Sequence, residues 1–344
     1  MKTSTEPMLK MLANGDFDIL AERFAQAGFA VSTPGAGMIL ILAQSAEVDR
    51  SRLLVSIGIH GDETAPIEMM ADILTEFVKK PHMLAVDLMI VVGNLEAISK
   101  ASRFVEVDMN RLFDSEQPAT ASGAETHRAT QIMEATERFL GRRGGGTLRW
   151  HLDLHSTIRS SLYSRFAIVP VAFDDGSGDA ISAALGTWLA GAGIEALVFN
   201  SLPSSTYSAF SARLSGVEGV TLELGTVSVM GKNSLGHLKQ TRDALSGLMK
   251  GNPLSTDVSL PICFSVSREI RKVTASFDLR CDQATANFTE IAAHTIIATD
   301  GTETYATADR PAHLLFPNPR VAVGHRAALL LYRESKNGLK PNSR

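Results

Sequence analysis

The chain is poor in cysteine, with only Cys263 and Cys281 among its 344 residues. Two thiols cannot build a zinc site of the four-cysteine kind. Because nothing points to a secretory context, we expect both to be free thiols in a reducing compartment. Residues 1–7 lack the apolar core of a signal peptide. These features together predict a cytoplasmic protein.

Long apolar runs and blocks of basic residues are also missing. No apolar run approaches the roughly 20 residues that span a bilayer, so no membrane partner is expected. The net charge is −4, and no Lys/Arg block could follow a phosphate backbone, so no nucleic acid partner is expected. The glycines at 144–146 do not form a Gly-x-Gly-x-x-Gly pattern after a strand, which argues against a nucleotide site. The overall composition, 44% hydrophobic and 20% charged, is that of a soluble globular protein.

Up to residue 251, short apolar runs alternate with longer amphipathic segments. This pattern predicts an α/β fold in which a mostly parallel or mixed sheet carries helices on both faces. The predicted strands are Met38–Leu42, Leu53–Ile59, Leu88–Val92, Leu148–Leu154, Phe166–Val171, Ala196–Phe199 and Val220–Leu224. The predicted helices are Thr64–Lys79, Ala119–Leu140, Asp179–Ala192 and Ser234–Met249.

The pattern changes after residue 251, where short β-like runs and turn signals dominate. We therefore predict a larger domain of residues 1–251 and a smaller β-rich domain of residues 252–344. The strands predicted in the second are Ile262–Ser267, Ala292–Thr299, His313–Phe316 and Ala327–Tyr332. The polar tail from residue 335 is expected to fray. A homo-oligomer could form through the smaller domain, although no sequence pattern indicates one.

The most informative segment, residues 58–64, follows the apolar run 53–57. It places His60 and Glu63 three residues apart in a turn that contains glycine. Such a turn can aim both side chains at one point, and zinc accepts both histidine nitrogen and glutamate oxygen. A His-x-x-Glu pattern alone is weak evidence, because it is usually structural.

A third candidate ligand, His155, lies in the strictly alternating segment Trp150–Thr157. His151, Asp153 and His155 should share one face of that strand. Catalytic groups of open α/β sheets gather at the carboxyl ends of strands, so His155 could meet His60 and Glu63 there. Asp153 could orient a ligand by hydrogen bonding. His151 is better interpreted as structural, and a structural role for His155 also remains open.

A candidate base, Glu223, lies in the apolar segment Val220–Gly225. A buried carboxylate is costly without a partner, so its presence suggests a role. Beside a zinc site it could take a proton from water and deliver it to a leaving amine. Desolvation would raise its pKa toward neutrality. The alternative is a strand carboxylate paired with an arginine.

Candidate substrate-binding residues follow. Arg103, Asn110, Arg111 and Arg213 could bind carboxylates, since arginine binds them through two hydrogen bonds and also stabilises negative charge developing on an oxygen. Several arginines near a metal predict an anionic, dicarboxylic substrate. The alternative for Arg111 is an ordinary surface pair with Asp108.

Taken together, the motifs resemble the succinylglutamate desuccinylase/aspartoacylase family, zinc hydrolases related to the M14 carboxypeptidases. The matching residues, in chain order, are His60, Glu63, Arg103, Asp108, Asn110, Arg111, Asp153, His155 and Glu223. The resemblance covers residues from about 50 to 235, which makes residues 1–251 the expected hydrolase domain. The segments 316–319 and 324–327 resemble the small C-terminal β domain of the desuccinylases.

This resemblance implies a carboxypeptidase-like fold whose mixed sheet has eight strands. It implies that His60, Glu63 and His155 bind one zinc ion per subunit. It further implies that Glu223 activates the attacking water, and that Arg103 polarises the scissile carbonyl and stabilises the oxyanion.

The resemblance also implies that Asn110 and Arg111 bind a substrate carboxylate. Arg213 falls where the aspartoacylase branch has another carboxylate-binding arginine. The chain departs from the family at Asp62, where asparagine is common. Because that position is not a ligand, the zinc assignment is unaffected.

The expected reaction is cleavage of N2-succinyl-L-glutamate to succinate and L-glutamate, the last step of the arginine succinyltransferase pathway. Three alternatives remain open at this level. The first is an aspartoacylase-like deacylase of another N-acyl acidic amino acid, and the second is a metallocarboxypeptidase. The third is a metabolite-binding protein without activity, although the retained carboxylate of Glu223 argues against it.

Overall fold

A computed structural model describes residues 5–44, 50–114, 123–141, 148–171, 181–253 and 258–334. The predicted fraying tail and the glycines at 144–146 lie outside these residues. The helices are α1 Glu6–Asn14, α2 Asp18–Gln26, α3 Thr64–Lys79, α4 Leu95–Ser99, α5 Ala124–Leu140, α6 Ala183–Gly191, α7 Tyr207–Ala212 and α8 Lys239–Met249, with 3₁₀ turns at Pro81–Met83, Met109–Arg111 and Leu235–Leu238.

The strands fall into a long series in the first three-quarters of the chain and a shorter series after it. They are β1 Ala30–Gly35, β2 Met38–Leu42, β3 Arg52–Ile57, β4 Asp87–Val92, β5 Arg149–Thr157, β6 Arg165–Pro170, β7 Ala196–Asn200, β8 Glu218–Thr226, β9 Ile262–Arg271, β10 Asp278–Leu279, β11 Thr289–Ile291, β12 Ile296–Asp300, β13 Glu303–Ala306, β14 Ala312–Leu315 and β15 Arg326–Arg333.

Eight strands form the part of the sheet that carries the site, in the order β1-β2-β4-β3-β5-β8-β6-β7. Strands β4, β3, β5 and β8 run parallel to one another, whereas β6 is antiparallel to β8. The carboxyl ends of β3, β5 and β8 therefore meet at one edge. The predicted α/β class with a mixed sheet is confirmed.

Helices cover both faces because residues of the buried strands alternate between them. Leu53, Val55 and Ile57 of β3 join one core with α1, α2, α3, α6 and α8, whereas Leu54 joins a second core with α5 and α7. Helix α3 contributes Ile67, Met70, Leu74 and Phe77 to the first core, at helical spacing. The result is a three-layer architecture.

The sheet continues without a break into the C-terminal region. Strand β9 pairs in parallel with β7, and β15, β14 and β11 follow in antiparallel order. A separate three-stranded sheet is formed by β10, β12 and β13. The region is β-rich as expected, and the boundary at residue 251 stays a prediction.

Several element predictions need correction. The helix Thr64–Lys79 is confirmed, but β5 extends to Thr157, so His155 lies inside the strand and not at its end. Strand β3 ends at Ile57, earlier than predicted. Strand β9 extends to Arg271, beyond its predicted end, and β12 begins at Ile296, later than predicted. The segment from Ser234 begins as a 3₁₀ turn.

Some elements were not predicted at all. Helices α1, α2, α4 and α7 and strands β1, β10, β11 and β13 are short, so their periodicity gives a weak signal. Helices α5 and α6 begin at Ala124 and Ala183, later than predicted, although part of each predicted start lies outside the described residues.

Candidate metal centre and active site

The loop after β3 is shaped by two glycines. Gly58 has φ +62°, a left-handed conformation that disfavours other residues. A Cβ at Gly61 would lie 2.2 Å from the carbonyl carbon of Ala97 in α4, so only glycine allows this approach. Helix α3 then begins at Thr64. The tight loop holds His60 and Glu63 against the carboxyl ends of the strands.

The structure brings His60, Glu63 and His155 together as one buried cluster. Glu63 Oε1 lies 2.7 Å from His60 Nδ1, and Glu63 Oε2 lies 2.8 Å from His155 Nδ1. The two Nδ1 atoms are 3.2 Å apart. Tetrahedral ligands about 2.0–2.1 Å from a zinc ion are roughly 3.3–3.4 Å apart, so the donor atoms are grouped closely enough for one ion.

The outer nitrogen of each histidine faces a carboxylate. His60 Nε2 is 3.0 Å from Asp108 Oδ1, and His155 Nε2 is 3.0 Å from Asp153 Oδ2. A carboxylate accepts the proton of the outer nitrogen and so leaves the inner Nδ1 lone pair available to a metal. The geometry thus fixes the tautomer that a metal ligand needs. Asp62 is not part of this cluster.

A buried hydrogen-bond network continues behind Asp153. Ser56 Oγ donates to Asp153 Oδ1 (2.5 Å) and lies 2.8 Å from His151 Nε2. His151 Nδ1 is 2.7 Å from Ser211 Oγ. Burial lowers the pKa of His151 to about 4, so the ring is neutral at pH 7. A neutral ring can donate from Nε2 to Ser56, whose own proton is given to Asp153, and this fits the structural role expected for His151.

Glu223 lies beside the donor cluster on the neighbouring strand. Its Cα is the register partner of His155 across β5 and β8, and its side chain is buried. Among the described residues, Glu223 Oε2 has no hydrogen-bond partner. Burial, followed by the negative charge of Glu63, raises the pKa of Glu223 to about 7. The site therefore contains a carboxyl group able to exchange a proton near neutral pH.

Arg103 reaches the cluster through Glu63. Its Nη1 donates to Glu63 Oε1 (2.8 Å), and its backbone carbonyl accepts from Gly61 N (3.1 Å). The Arg103 side chain is 29% exposed, so part of it is accessible to solvent. In this arrangement Arg103 places a positive charge directly beside the histidine–glutamate cluster.

The residues predicted to bind substrate differ in the partners that their side chains already have. Arg111 is half-exposed, and its Nη2 lies 4.0 Å from Asp108 Oδ2. Asn110 Oδ1 accepts from Tyr207 N (2.9 Å), so any substrate contact would fall to its Nδ2 group. Arg213 donates to the backbone carbonyls of Ser204 and Phe113 (both 3.1 Å). Arg111 therefore lies beside Asp108 at the site. Arg213 instead forms its hydrogen bonds with two backbone carbonyls.

Two buried glutamates that support the site were missed by the sequence analysis. Glu125 in the first turn of α5 accepts backbone N–H groups from Val105, Glu106 and Val107, at 2.7–2.9 Å, and so fixes the segment between Arg103 and Asp108. Glu68 on the buried side of α3 accepts from Gly231 N (2.7 Å) in the loop after β8. Charged residues at apolar helix positions were the available signal.

Two family models match the chain. The succinylglutamate desuccinylase/aspartoacylase catalytic domain matches residues 49–249, and the AstE/AspA barrel-sandwich hybrid domain matches residues 260–334. In the part of the chain that the structure describes, none of the helices combines the length and apolar character required to cross a membrane.

Several proteins that are similar to this chain are named succinylglutamate desuccinylase. A succinylglutamate desuccinylase from Burkholderia lata is 35% identical over 84% of this chain and 81% of its own length. One from Burkholderia orbicola is 34% identical over 92% of both chains. The crystal structure of a Vibrio parahaemolyticus protein described by the same name has a TM-score of 0.80 at 28% identity, covering 92% of this chain and 94% of that one.

Proposed function

This chain belongs to the succinylglutamate desuccinylase/aspartoacylase family, and from that premise we propose that it is a zinc-dependent amidohydrolase that cleaves N2-succinyl-L-glutamate to succinate and L-glutamate. Relatives named for this activity match over most of the chain at 34–35% identity. The observation that carries the proposal is the position of Glu223, which has an unpaired buried oxygen, beside the His60, Glu63 and His155 cluster.

The residues present fit zinc as the resident metal. Two imidazole nitrogens and one carboxylate are the donor set of many hydrolytic zinc sites, which keep a further position open. His60, Glu63 and His155 would hold the ion, and their outer partners Asp108 and Asp153 favour the required tautomer. When bound, zinc lowers the pKa of water and polarises a carbonyl oxygen.

Glu223 would act as the general base and then as the general acid. Its carboxylate takes a proton from the attacking water and returns it to the nitrogen of the leaving amino acid. A pKa of about 7 suits both steps, because the group is then available in both protonation states near neutral pH. The unpaired Oε2 atom provides an acceptor that no described residue occupies.

The basic residues would orient the substrate and stabilise developing charge. Arg103, beside the metal ligand Glu63, is placed to donate to the oxygen of the scissile carbonyl as negative charge builds on it. Arg111 and the Nδ2 group of Asn110 would bind a substrate carboxylate at the rim. Arg213 is a weaker candidate for such binding, because two of its donors are already engaged by backbone carbonyls.

The pathway and the cellular location of the enzyme are also part of this proposal. The substrate would be the last intermediate of the arginine succinyltransferase pathway, and the enzyme would act in the cytoplasm. A deacylase for another N-acyl acidic amino acid and a metallocarboxypeptidase share the same zinc chemistry, so substrate tests must separate them.

The decisive experiment is a hydrolysis assay of zinc-loaded protein on succinyl- and acetyl-derivatives of glutamate and aspartate and on short peptides. Fastest turnover of N2-succinyl-L-glutamate is expected. Preference for N-acetyl-L-aspartate would indicate an aspartoacylase, and release of C-terminal residues from peptides a metallocarboxypeptidase. Binding of these ligands without any hydrolysis would refute the enzymatic proposal.

The role of Glu223 is tested by Glu223→Gln with Glu218→Gln as the control on the same strand. Glu218 is hydrogen bonded to Trp150 and Ser182, outside the donor cluster. Loss of a general base lowers kcat roughly 10²- to 10⁴-fold, while the zinc content measured by atomic absorption should stay at one ion per chain. A kcat within tenfold of wild type would refute the assignment.

A further inference from the structure

The loop that follows β8, the strand of the candidate base, is hydrogen bonded to the first two turns of α3. Thr64 Oγ1 donates to Ser228 O of this loop (2.8 Å). Glu68 Oε1 accepts from Gly231 N (2.7 Å) and from Asn233 Nδ2 (2.6 Å). Asn233 Nδ2 also donates to Thr64 Oγ1 (2.7 Å). We call the side chains of Thr64, Glu68 and Asn233 the clasp.

The clasp uses each polar group in the role that its chemistry allows. The two amide hydrogens of Asn233 are donated to Thr64 and Glu68, and the single hydroxyl hydrogen of Thr64 is donated to Ser228. Thr64 is 4% exposed and Glu68 is 2% exposed. A buried carboxylate is costly without donors around it, and hydrogen bonds to a charged group are stronger than neutral ones. The clasp therefore requires an amide at position 233, because a carboxylate of the same shape cannot donate.

The clasp joins two parts of the site that come from separate strands of the sheet. Glu63 immediately precedes Thr64 in the segment after β3, whereas Glu223 lies on β8, and β5 separates these two strands. The carboxylate of Glu63 contacts both histidines of the donor cluster, so a shift of the first turn of α3 would move a donor atom. A general base must lie within hydrogen-bond reach of the water that it deprotonates. The clasp thus connects the chain beside the ligand directly to the chain beyond the base.

We propose that Glu68 and Asn233 are positioning residues that fix the separation between the metal ligand Glu63 and the base Glu223. The inference rests on the proposed function and deepens it. Both residues lie outside the donor cluster, and they act through Thr64 and through the loop that follows β8. A misplacement of about 1 Å at a reacting centre lowers a rate roughly 100-fold. The clasp therefore controls turnover without touching the substrate.

The inference is tested by Asn233→Asp, which keeps the shape of the side chain but replaces both donors and places a second carboxylate beside Glu68. The kcat for N2-succinyl-L-glutamate should fall roughly 10- to 100-fold. KM should stay within about threefold of wild type, because the residues proposed to bind substrate lie outside the clasp and the loop. Asn233→Ala adds no charge and should give a smaller loss of kcat, and it replaces the aspartate variant if that variant does not fold.

A double variant and a matched control distinguish the clasp from a general loss of structure. Adding Glu68→Gln to Asn233→Asp removes the like-charge pair, so the loss of kcat should be smaller than the product of the two single losses. The control is Asn200→Asp at the end of β7. Asn200 Oδ1 accepts from Leu202 N, a role that aspartate keeps, so kcat should stay within about twofold of wild type. Independent losses in the double variant, or a rise in KM with unchanged kcat, would overturn the inference.

Two measurements without substrate separate this inference from the proposed reaction. Hydrogen–deuterium exchange of the Gly231 N–H should be at least about tenfold faster in Asn233→Asp, because its acceptor Glu68 is displaced. Removal of zinc by a chelator should also be roughly tenfold faster, because Glu63 is held less firmly.

The outcomes point to different conclusions. Faster exchange and faster zinc removal, together with no hydrolysis of any substrate by wild type, would refute only the proposed reaction. Hydrolysis by wild type, together with unchanged exchange in Asn233→Asp, would refute only the clasp. Faster exchange with unchanged kcat and unchanged zinc removal would show that the clasp holds the loop alone, and would overturn the positioning role.

Discussion

Acidification should destabilise this protein specifically through His151. The ring is fully buried between Ser56 and Ser211, and its pKa is lowered to about 4 by burial. In the unfolded chain a histidine has a pKa of about 6.5. Between these two values the unfolded chain binds a proton that the folded protein excludes, so the free energy of unfolding falls as the pH falls.

The size of the effect follows from the two pKa values. The contribution of the neutral ring is fully present above pH 6.5 and is lost progressively down to about pH 4. Integrating the linkage relation from pH 7 to pH 5 gives a loss of about 2 kcal/mol. No discount for solvent screening is needed, because the His151 side chain is fully buried. A loss of this size is a large part of the stability of an ordinary domain.

The assay is urea unfolding at pH 7 and pH 5, followed by the fluorescence of the buried Trp150 and Trp188. Wild type is compared with His151→Gln, which removes the titrating group, and with His127→Gln, which removes an exposed histidine. Wild type and His127→Gln should lose about 2 kcal/mol more than His151→Gln on acidification. Release of a bound metal at pH 5 would affect all three proteins and cancel in the comparison. Parallel losses in wild type and His151→Gln would show that the ring is not held neutral.

Two further predictions concern the metal and the loop that carries the basic residues. Treatment with a chelator should abolish hydrolysis and lower the midpoint temperature of unfolding, and one equivalent of zinc should restore both. Full activity in protein shown to be metal-free would contradict the zinc assignment. Glu125→Gln removes the negative charge that accepts hydrogen bonds from the three backbone N–H groups of residues 105–107, so kcat/KM should fall about tenfold. The control is Glu134→Gln, an exposed position on the same helix, which should keep the wild-type kcat/KM.

The parts of the site that the sequence predicted depend on local spacing. His60 and Glu63 share one turn, and the alternation of Trp150–Thr157 places His155 and Asp153 on one face. Both signals are carried by a few adjacent residues. The structure then brings the two segments together because β3 and β5 are parallel neighbours, as expected for an α/β sheet.

The parts that could not be predicted depend on contacts between distant segments. Nothing in the sequence of β15 shows that this strand joins the same sheet as β8. The hydrogen bonds from Arg213 to two backbone carbonyls could not be predicted from the sequence either. The length of β5 was underestimated, because the polar residues at its end are buried by the site and not by an apolar core.

The contrast among four carboxylates of the site explains how the proposed metal ligands and the proposed base could lie side by side. Glu63, Asp108 and Asp153 each face a histidine, and such partners favour the charged form of a carboxylate. Glu223 is buried as well, yet its Oε2 has no partner among the described residues, so burial and the charge of Glu63 favour its protonated form. Surroundings that push pKa values apart assign acid and base roles to chemically identical groups. Pairing Glu223 with a new cation would therefore remove its capacity to return a proton, even if every ligand atom stayed in place.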